Sequence, residues 1–185
     1  MATETRQQTI TPDGMEYALL GLLRREPLHA YEMHQRLRRG ELLGQIWQIK
    51  QSHLYALLAR LEEQGLVAGA VEAQGARPPR RMLALTPEGM AAYSAWMTAP
   101  VRHGRDFRLE FLAKLACAAS EGSATVAALI ARQRATCATW QRDLHERIAA
   151  IPDSRPYDRL VLEFRVGQIA AILAWLERCE RELDS

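Results

Sequence analysis

Residues 51–67 read QSHLYALLARLEEQGLV, and the spacing within this stretch sets what the rest of the chain must do. Leu54, Leu57, Leu58 and Leu61 recur at i, i+3, i+4 and i+7, which places them on one face of a helix. The opposite face carries Ser52, Ala56, Ala59 and Glu63, with His53 and Arg60 flanking it on one side and Tyr55 on the other. Ser52 is a candidate N-cap, and Gly65 stands where a left-handed C-terminal cap is often needed. The outer face is polar early, small in the middle and acidic late. That order suits a helix whose N-terminal half meets an anion and whose C-terminal half points away from it.

On the N-terminal side, residues 42–50 read as irregular, with Trp47 plugging the space beside the helix. Residues 30–39 predict a shorter helix with Ala30, Met33 and Leu37 inward and Gly40 as its stop. Residues 16–25 predict another, capped by Asp13, stopped by Glu26-Pro27 and apolar at Tyr17, Ala18, Leu19, Leu22 and Leu23. Residues 1–12 read as a loose arm. On the C-terminal side the period changes. Residues 66–72 and 81–86 can be extended, and residues 73–80 carry the Gly and Pro of a turn, giving a β-hairpin with a basic tip. Thr86 caps a further helix, with Pro87 in its first turn, and that helix ends before Pro100. Three helices, a hairpin and a fourth helix within residues 13–99 are the parts of a winged helix-turn-helix. In that arrangement the third helix enters the major groove and the hairpin follows the backbone.

Residues 100–185 read as helix almost throughout: 106–120, 123–151 and, after a break at 152–156, 157–183. In the last, Leu162, Val166, Ile169, Leu173 and Leu176 make a heptad seam, and Val161, Phe164, Ile172 and Trp175 widen it into a second apolar face. A terminal helix apolar on two faces needs two neighbours. One can be the long helix of its own chain, and a second copy supplies the other, so residues 100–185 are expected to be a dimerisation domain and the seam its contact. The expected fold class is mainly α, a winged helix-turn-helix followed by a C-terminal helical domain.

Composition excludes several classes. With 48% hydrophobic residues the chain is not disordered. No apolar run reaches membrane-spanning length, and residues 1–10 lack the apolar segment of a signal peptide, so a cytoplasmic protein is expected. Cys117, Cys137 and Cys179 form no metal spacing and read as buried reduced thiols. His29, His34, His53, His103 and His145 show no ligand spacing either. There is no Gly-rich phosphate loop, no nucleophile with a spaced base and no shared-face carboxylate pair, so neither enzyme activity nor a cofactor is expected. The net charge is only +2, so an anionic partner must be met by clusters: Arg36, Arg38 and Arg39 at the end of one helix, and Arg77, Arg80 and Arg81 in the hairpin.

In order along the chain, ALLGLL at 18–23, LHAYEM at 28–33, Trp47 with SHLYALLARLEEQGLV at 52–67, and LTPEG at 85–89 resemble the PadR family of bacterial transcriptional regulators. The C-terminal helices, ending near AWLE at 174–177, resemble the dimerising domain of its longer subclass, shared with virulence activators. Met82 and Leu83 stand where the family usually has aromatic residues, and the wing's Ala76-Arg77-Pro78-Pro79-Arg80 carries an extra proline. The resemblance implies a homodimeric regulator, most often a repressor, on an inverted repeat of double-stranded DNA. A small aromatic effector releases some members. It places Tyr55 at the DNA surface. Around it, Ser52 and His53 suit phosphate, Gln51 suits a base edge, and Lys50 and Arg60 suit phosphate; Arg77, Arg80 and Arg81 suit the backbone under the wing. Tyr93, Trp96, Trp140 and Trp175 read as core and interface filler, and no effector site is assigned. The alternatives are an activator of the same fold and a winged-helix adaptor that binds protein.

Overall fold

The computed structural model describes residues 14–40, 42–74 and 77–183, and the chain divides into two compact units between Trp96 and Met97. The arm read in residues 1–12 and the Asp13 cap lie outside the described residues.

In the first unit, α1 spans Gly14–Leu23, α2 Ala30–Arg38, α3 Leu43–Ile46 and α4 Gln51–Glu63. Leu54, Leu57, Leu58 and Leu61 of α4 are buried, as their spacing requires. Lys50, not Ser52, is the N-cap residue, and no side chain caps the helix. A missing cap costs about 1 kcal/mol, whereas each buried leucine contributes roughly 1.5–3 kcal/mol, so packing rather than capping sets where α4 begins. His29 caps α2 instead, its Nδ1 accepting the Glu32 N–H at 3.2 Å. The single turn α3 stands where the sequence reads as irregular. Gly44 lies so close to the Leu37 carbonyl that a Cβ has no room, and Leu43 is buried beside it. Trp47, expected to plug the gap beside the helix, is half-buried.

Strand β1, Val67–Gln74, pairs antiparallel with β2, Arg77–Leu85, from Val67↔Leu85 to Glu72↔Arg80, with an irregularity between Glu72 and Gln74. Most of the expected loop at 73–80 is therefore strand. Proline lacks an N–H but tolerates extended backbone at a sheet edge, and Pro78 and Pro79 sit on β2 near the irregularity. At the other end of β2, Leu83 exchanges hydrogen bonds with Leu28 at 2.8 and 3.0 Å, a long-range bridge that makes Leu28 a third piece of the sheet.

Helix α5 spans Pro87–Thr98, and Thr86 caps it as read, its Oγ1 accepting the Gly89 N–H at 2.9 Å. The same hydroxyl donates to the Gly65 carbonyl at 2.7 Å, and the Thr86 N–H donates to the Leu66 carbonyl at 3.2 Å. Gly65 takes φ +70° to end α4, and Gly89 lies against the Leu66 carbonyl with no room for a Cβ. Tyr93 and Trp96 are buried, with Trp96 stacked on Tyr17 at 6.0 Å.

The second unit opens with a 3₁₀ turn, Gly104–Arg108, followed by α6 (Glu110–Glu121), α7 (Ser123–Ala149) and α8 (Pro156–Leu183). The expected helix from residue 106 is thus split at Leu109. Phe107 and Phe111 stack across the split at 4.6 Å. Two polar groups are fully enclosed and both hold the entering chain. Gln133 Oε1 accepts the Val101 N–H at 2.8 Å, and Lys114 Nζ donates to the Ala99 carbonyl at 2.6 Å while pairing with Glu110 at 3.1 Å. Burial pushes the Lys114 ammonium pKa down, and Glu110 only partly offsets this. The α8 seam packs on α7 of its own chain: Leu162, Ile169 and Leu176 are buried and Val166 and Leu173 half-buried. The seam therefore belongs to the unit's interior and is not a free contact surface. The face left open is Tyr157, Leu160, Val161 and Phe164, with exposures of 81, 58, 54 and 68%.

Gly65 and Gly89 separate two kinds of glycine requirement. Gly65→Ala pays only for a left-handed backbone, about 1 kcal/mol, since nothing lies within 4 Å of its Cβ position. Gly89→Ala forces α5 off the Leu66 carbonyl and is expected to cost about 2–4 kcal/mol. Urea unfolding of the two variants, followed by circular dichroism, checks the order.

Candidate nucleic-acid interface

Helix α4 presents Gln51, Ser52, His53, Tyr55, Ala56 and Ala59 to solvent, with Tyr55 45% exposed. Because no side chain caps α4, the N–H groups of its first turn are open to an anion at the positive end of the helix dipole. Lys50 stands at that end. Together with Arg38 and Gln51 it borders a hollow of about 690 Å³ between α2 and the start of α4. Arg38, a weaker candidate from sequence than the wing, is thus brought beside the recognition residues.

A second hollow, of about 510 Å³, lies between α2, α4 and β2, and Tyr31, Tyr55, Arg80 and Arg81 line it. Tyr31 is 52% exposed and stacks on His29 at 6.2 Å. Sequence reasoning placed Ala30, Met33 and Leu37 on the inward face of this helix and gave Tyr31 no role of its own. Its neighbours in sequence, His29 as cap and Glu32 beside the dipole, were the available signal.

The wing arginines have separate fates. Arg80 is exposed on β2. Arg81 is tied back: its Nη2 donates to Glu62 Oε1 of α4 at 2.7 Å, and the pair crosses Gly69, where a Cβ would collide with both. Arg81 thereby joins wing to helix while keeping an exposed edge. Arg77 lies on β2 opposite Gln74. Arg60 pairs with Glu16 of α1, a residue only 3% exposed, while its own side chain stays 39% exposed, so part of its charge is committed to a buried acid.

Residues 19–95 match the transcriptional regulator PadR-like family, and residues 107–184 match the virulence activator alpha C-term family. Residues 19–95 are thus a PadR-like domain. The negative transcriptional regulator PadR of Bacillus subtilis is 33% identical to this PadR-like chain over 89 residues, 48% of this chain and 46% of that protein, so the match spans about half the length of that relative. The crystal structure of Bacillus subtilis PadR in complex with operator DNA is 24% identical, aligned over 92% of this chain and 99% of that one, with a TM-score of 0.46. The structure of the same protein in complex with p-coumaric acid is 24% identical over 95% and 99% of the two chains, with a TM-score of 0.41. Among the described residues of the PadR-like chain, no helix is long and apolar enough to cross a membrane.

The placement of Arg60 yields an expected outcome. Arg60→Ala strands the Glu16 carboxylate and should destabilise the protein by about 3 kcal/mol, whereas truncating exposed Tyr55 should stay within about 0.5 kcal/mol. Equilibrium urea denaturation of both variants measures the difference.

Proposed function

We propose that this PadR-like regulator is a homodimeric repressor, acting in the cytoplasm, that binds an inverted repeat in double-stranded DNA with half-sites about one helical turn apart. The observation that carries the reading is the uncapped, exposed N-terminal half of α4 beside Lys50 and Arg38, with Tyr55 facing the same groove as Arg80. In this reading the first-turn N–H groups, Ser52, His53 and Lys50 meet phosphates, and Gln51 and Tyr55 reach base edges. Arg77, Arg80 and the free edge of Arg81 follow the backbone under the wing. Arg60 supports the helix from behind. The match of residues 19–95 to a family of transcriptional regulators and the likeness to a negative regulator favour DNA over a protein ligand, and repression over activation.

The dimer contact is the open face of α8, Tyr157, Leu160, Val161 and Phe164, since the heptad seam is used within the chain. A contiguous apolar stripe of this size on a water-facing helix marks an association surface, and a two-fold dimer suits an inverted repeat. A small aromatic effector that releases the DNA completes the proposed cycle.

Binding of the purified protein to DNA upstream of its own gene, measured by fluorescence anisotropy across a salt series, tests the core of this reading. Tight, salt-sensitive binding is expected, and Arg77→Ala/Arg80→Ala should flatten the log–log slope by about 0.9 per lost phosphate contact. Affinity no higher than for random DNA, or an unchanged slope, would count against it and favour the protein-binding adaptor.

Phe164→Glu/Val161→Glu should convert dimer to monomer in sedimentation at micromolar concentration. Leu162→Glu should instead unfold the second unit. If the double variant stays dimeric, the contact lies elsewhere.

A further inference from the structure

A hollow of about 460 Å³ lies wholly within the second unit, between the 3₁₀ turn, α7 and α8. Its lining carries Arg102, Arg105, Arg147 and Arg165, against one carboxylate, Asp143. Arg102, Arg147 and Arg165 take part in no ion pair or side-chain hydrogen bond among the described residues, whereas Arg134, Arg155, Arg159 and Arg178 of the same unit are each paired with an acid. Arg105 is held only loosely, 3.7 Å from Asp106 with its side chain 82% exposed. A chain of net charge +2 thus gathers an excess of positive charge in one hollow.

The scaffold under these groups is fixed. Val101, 1% exposed, is pinned by buried Gln133, and the His103 N–H donates to Asp106 Oδ2 at 3.0 Å. At Gly104 the turn lies over Ile169 and Ile172 of α8, whose Cδ1 atoms are 3.4 and 3.9 Å from where a Cβ would stand, an ordinary packing distance. That contact sets Arg102 and Arg105 on the rim. On α7, Trp140, Asp143, Leu144 and Arg147 step by three and four along one face, and on α8 so do Arg165, Gln168 and Ile169. Half-buried Trp140 gives the hollow an aromatic wall.

We propose that this hollow binds a small molecule with a planar ring and two or more negative charges. The volume lies in the range of small-ligand sites. Guanidinium groups take carboxylates or phosphates through paired N–H donors and stack on flat rings. A single negative charge satisfies one guanidinium and leaves the others without a counter-charge; two or three charges use the cluster. The site stands on the second unit alone, and naming its ligand the effector rests on the regulator reading above.

Isothermal titration of the full chain, without DNA, with benzene-1,3,5-tricarboxylate, phenyl phosphate and benzoate tests the site. The multiply charged probes should bind at least about tenfold more tightly than benzoate, and the tighter of the two names carboxylate or phosphate as the preferred anion. Arg147→Gln and Arg165→Gln, at exposed positions that leave the fold intact by circular dichroism, should each weaken binding about tenfold. Asp143→Asn should strengthen it. Equal affinity for benzoate, no binding by folded protein, or unchanged affinity in both arginine variants overturns the proposal. If those variants instead lower DNA affinity and salt slope while probe binding is unchanged, the cluster is a DNA-backbone contact and the proposal also fails. With DNA added, the tighter probe should weaken DNA binding by wild type more than by Arg165→Gln. Probe binding without that response removes the effector role and keeps the site, whereas absence of DNA binding at the start removes the regulator reading alone.

Discussion

The first unit depends on the contact where α4 ends and α5 begins. Thr86 donates to the Gly65 carbonyl, accepts from Gly89 and sends its own N–H to Leu66, so one residue fixes the end of the exposed helix, the base of the hairpin and the start of α5. Gly65 supplies the left-handed turn, and Gly89 lets α5 reach the Leu66 carbonyl. The direction in which the hairpin leaves α4 follows from this junction. The Arg81–Glu62 pair then fastens it a second time, further along the strand. Two fastenings at different distances from the turn define an angle, and an angle between helix and wing is what a groove-reading module has to hold.

What was legible in the sequence was local. The period of Leu54, Leu57, Leu58 and Leu61, the stop at Gly65 and the cap at Thr86 are each decided within a few residues, and the structure has each of them. What was not legible depended on partners distant in the chain. Arg60 sits on the flank of an amphipathic helix, a position from which a long side chain can turn either way; only the approach of α1, bringing Glu16 beneath it, decides the direction. Leu28 is bridged to Leu83 across 55 residues of chain, roughly, and no pattern near either announces it. The hairpin was read short because Pro78 and Pro79 carry turn statistics, although extended backbone suits them equally.

The last helix makes the same point about packing. A heptad says that a face is apolar and how wide it is, not who covers it. In α8 both faces are apolar. The more regular one, Leu162 to Leu176, goes to α7, which is covalently nearby and present at high effective concentration. Of the less regular one, Val161 and Phe164 are left outside with Tyr157 and Leu160, whereas Ile172 and Trp175 are half-buried. Intrachain neighbours win the better seam because closing a short connection costs less than bringing in a second molecule.

Charge follows a parallel logic. Nearly equal numbers of basic and acidic residues give +2, yet the acids are not spread evenly over the bases. Glu16 takes Arg60, Glu62 takes Arg81, and Glu177 and Glu180 share Arg134. Each pairing removes a cation from the field that an approaching anion meets. Arg38 and Lys50 beside α4, and Arg102, Arg147 and Arg165 in the second unit, have no such partner among the described residues. Unpaired cations therefore gather in two hollows although the total charge is small. Those hollows screen their charges less from each other than open surface does, so an anion gains most where it enters one.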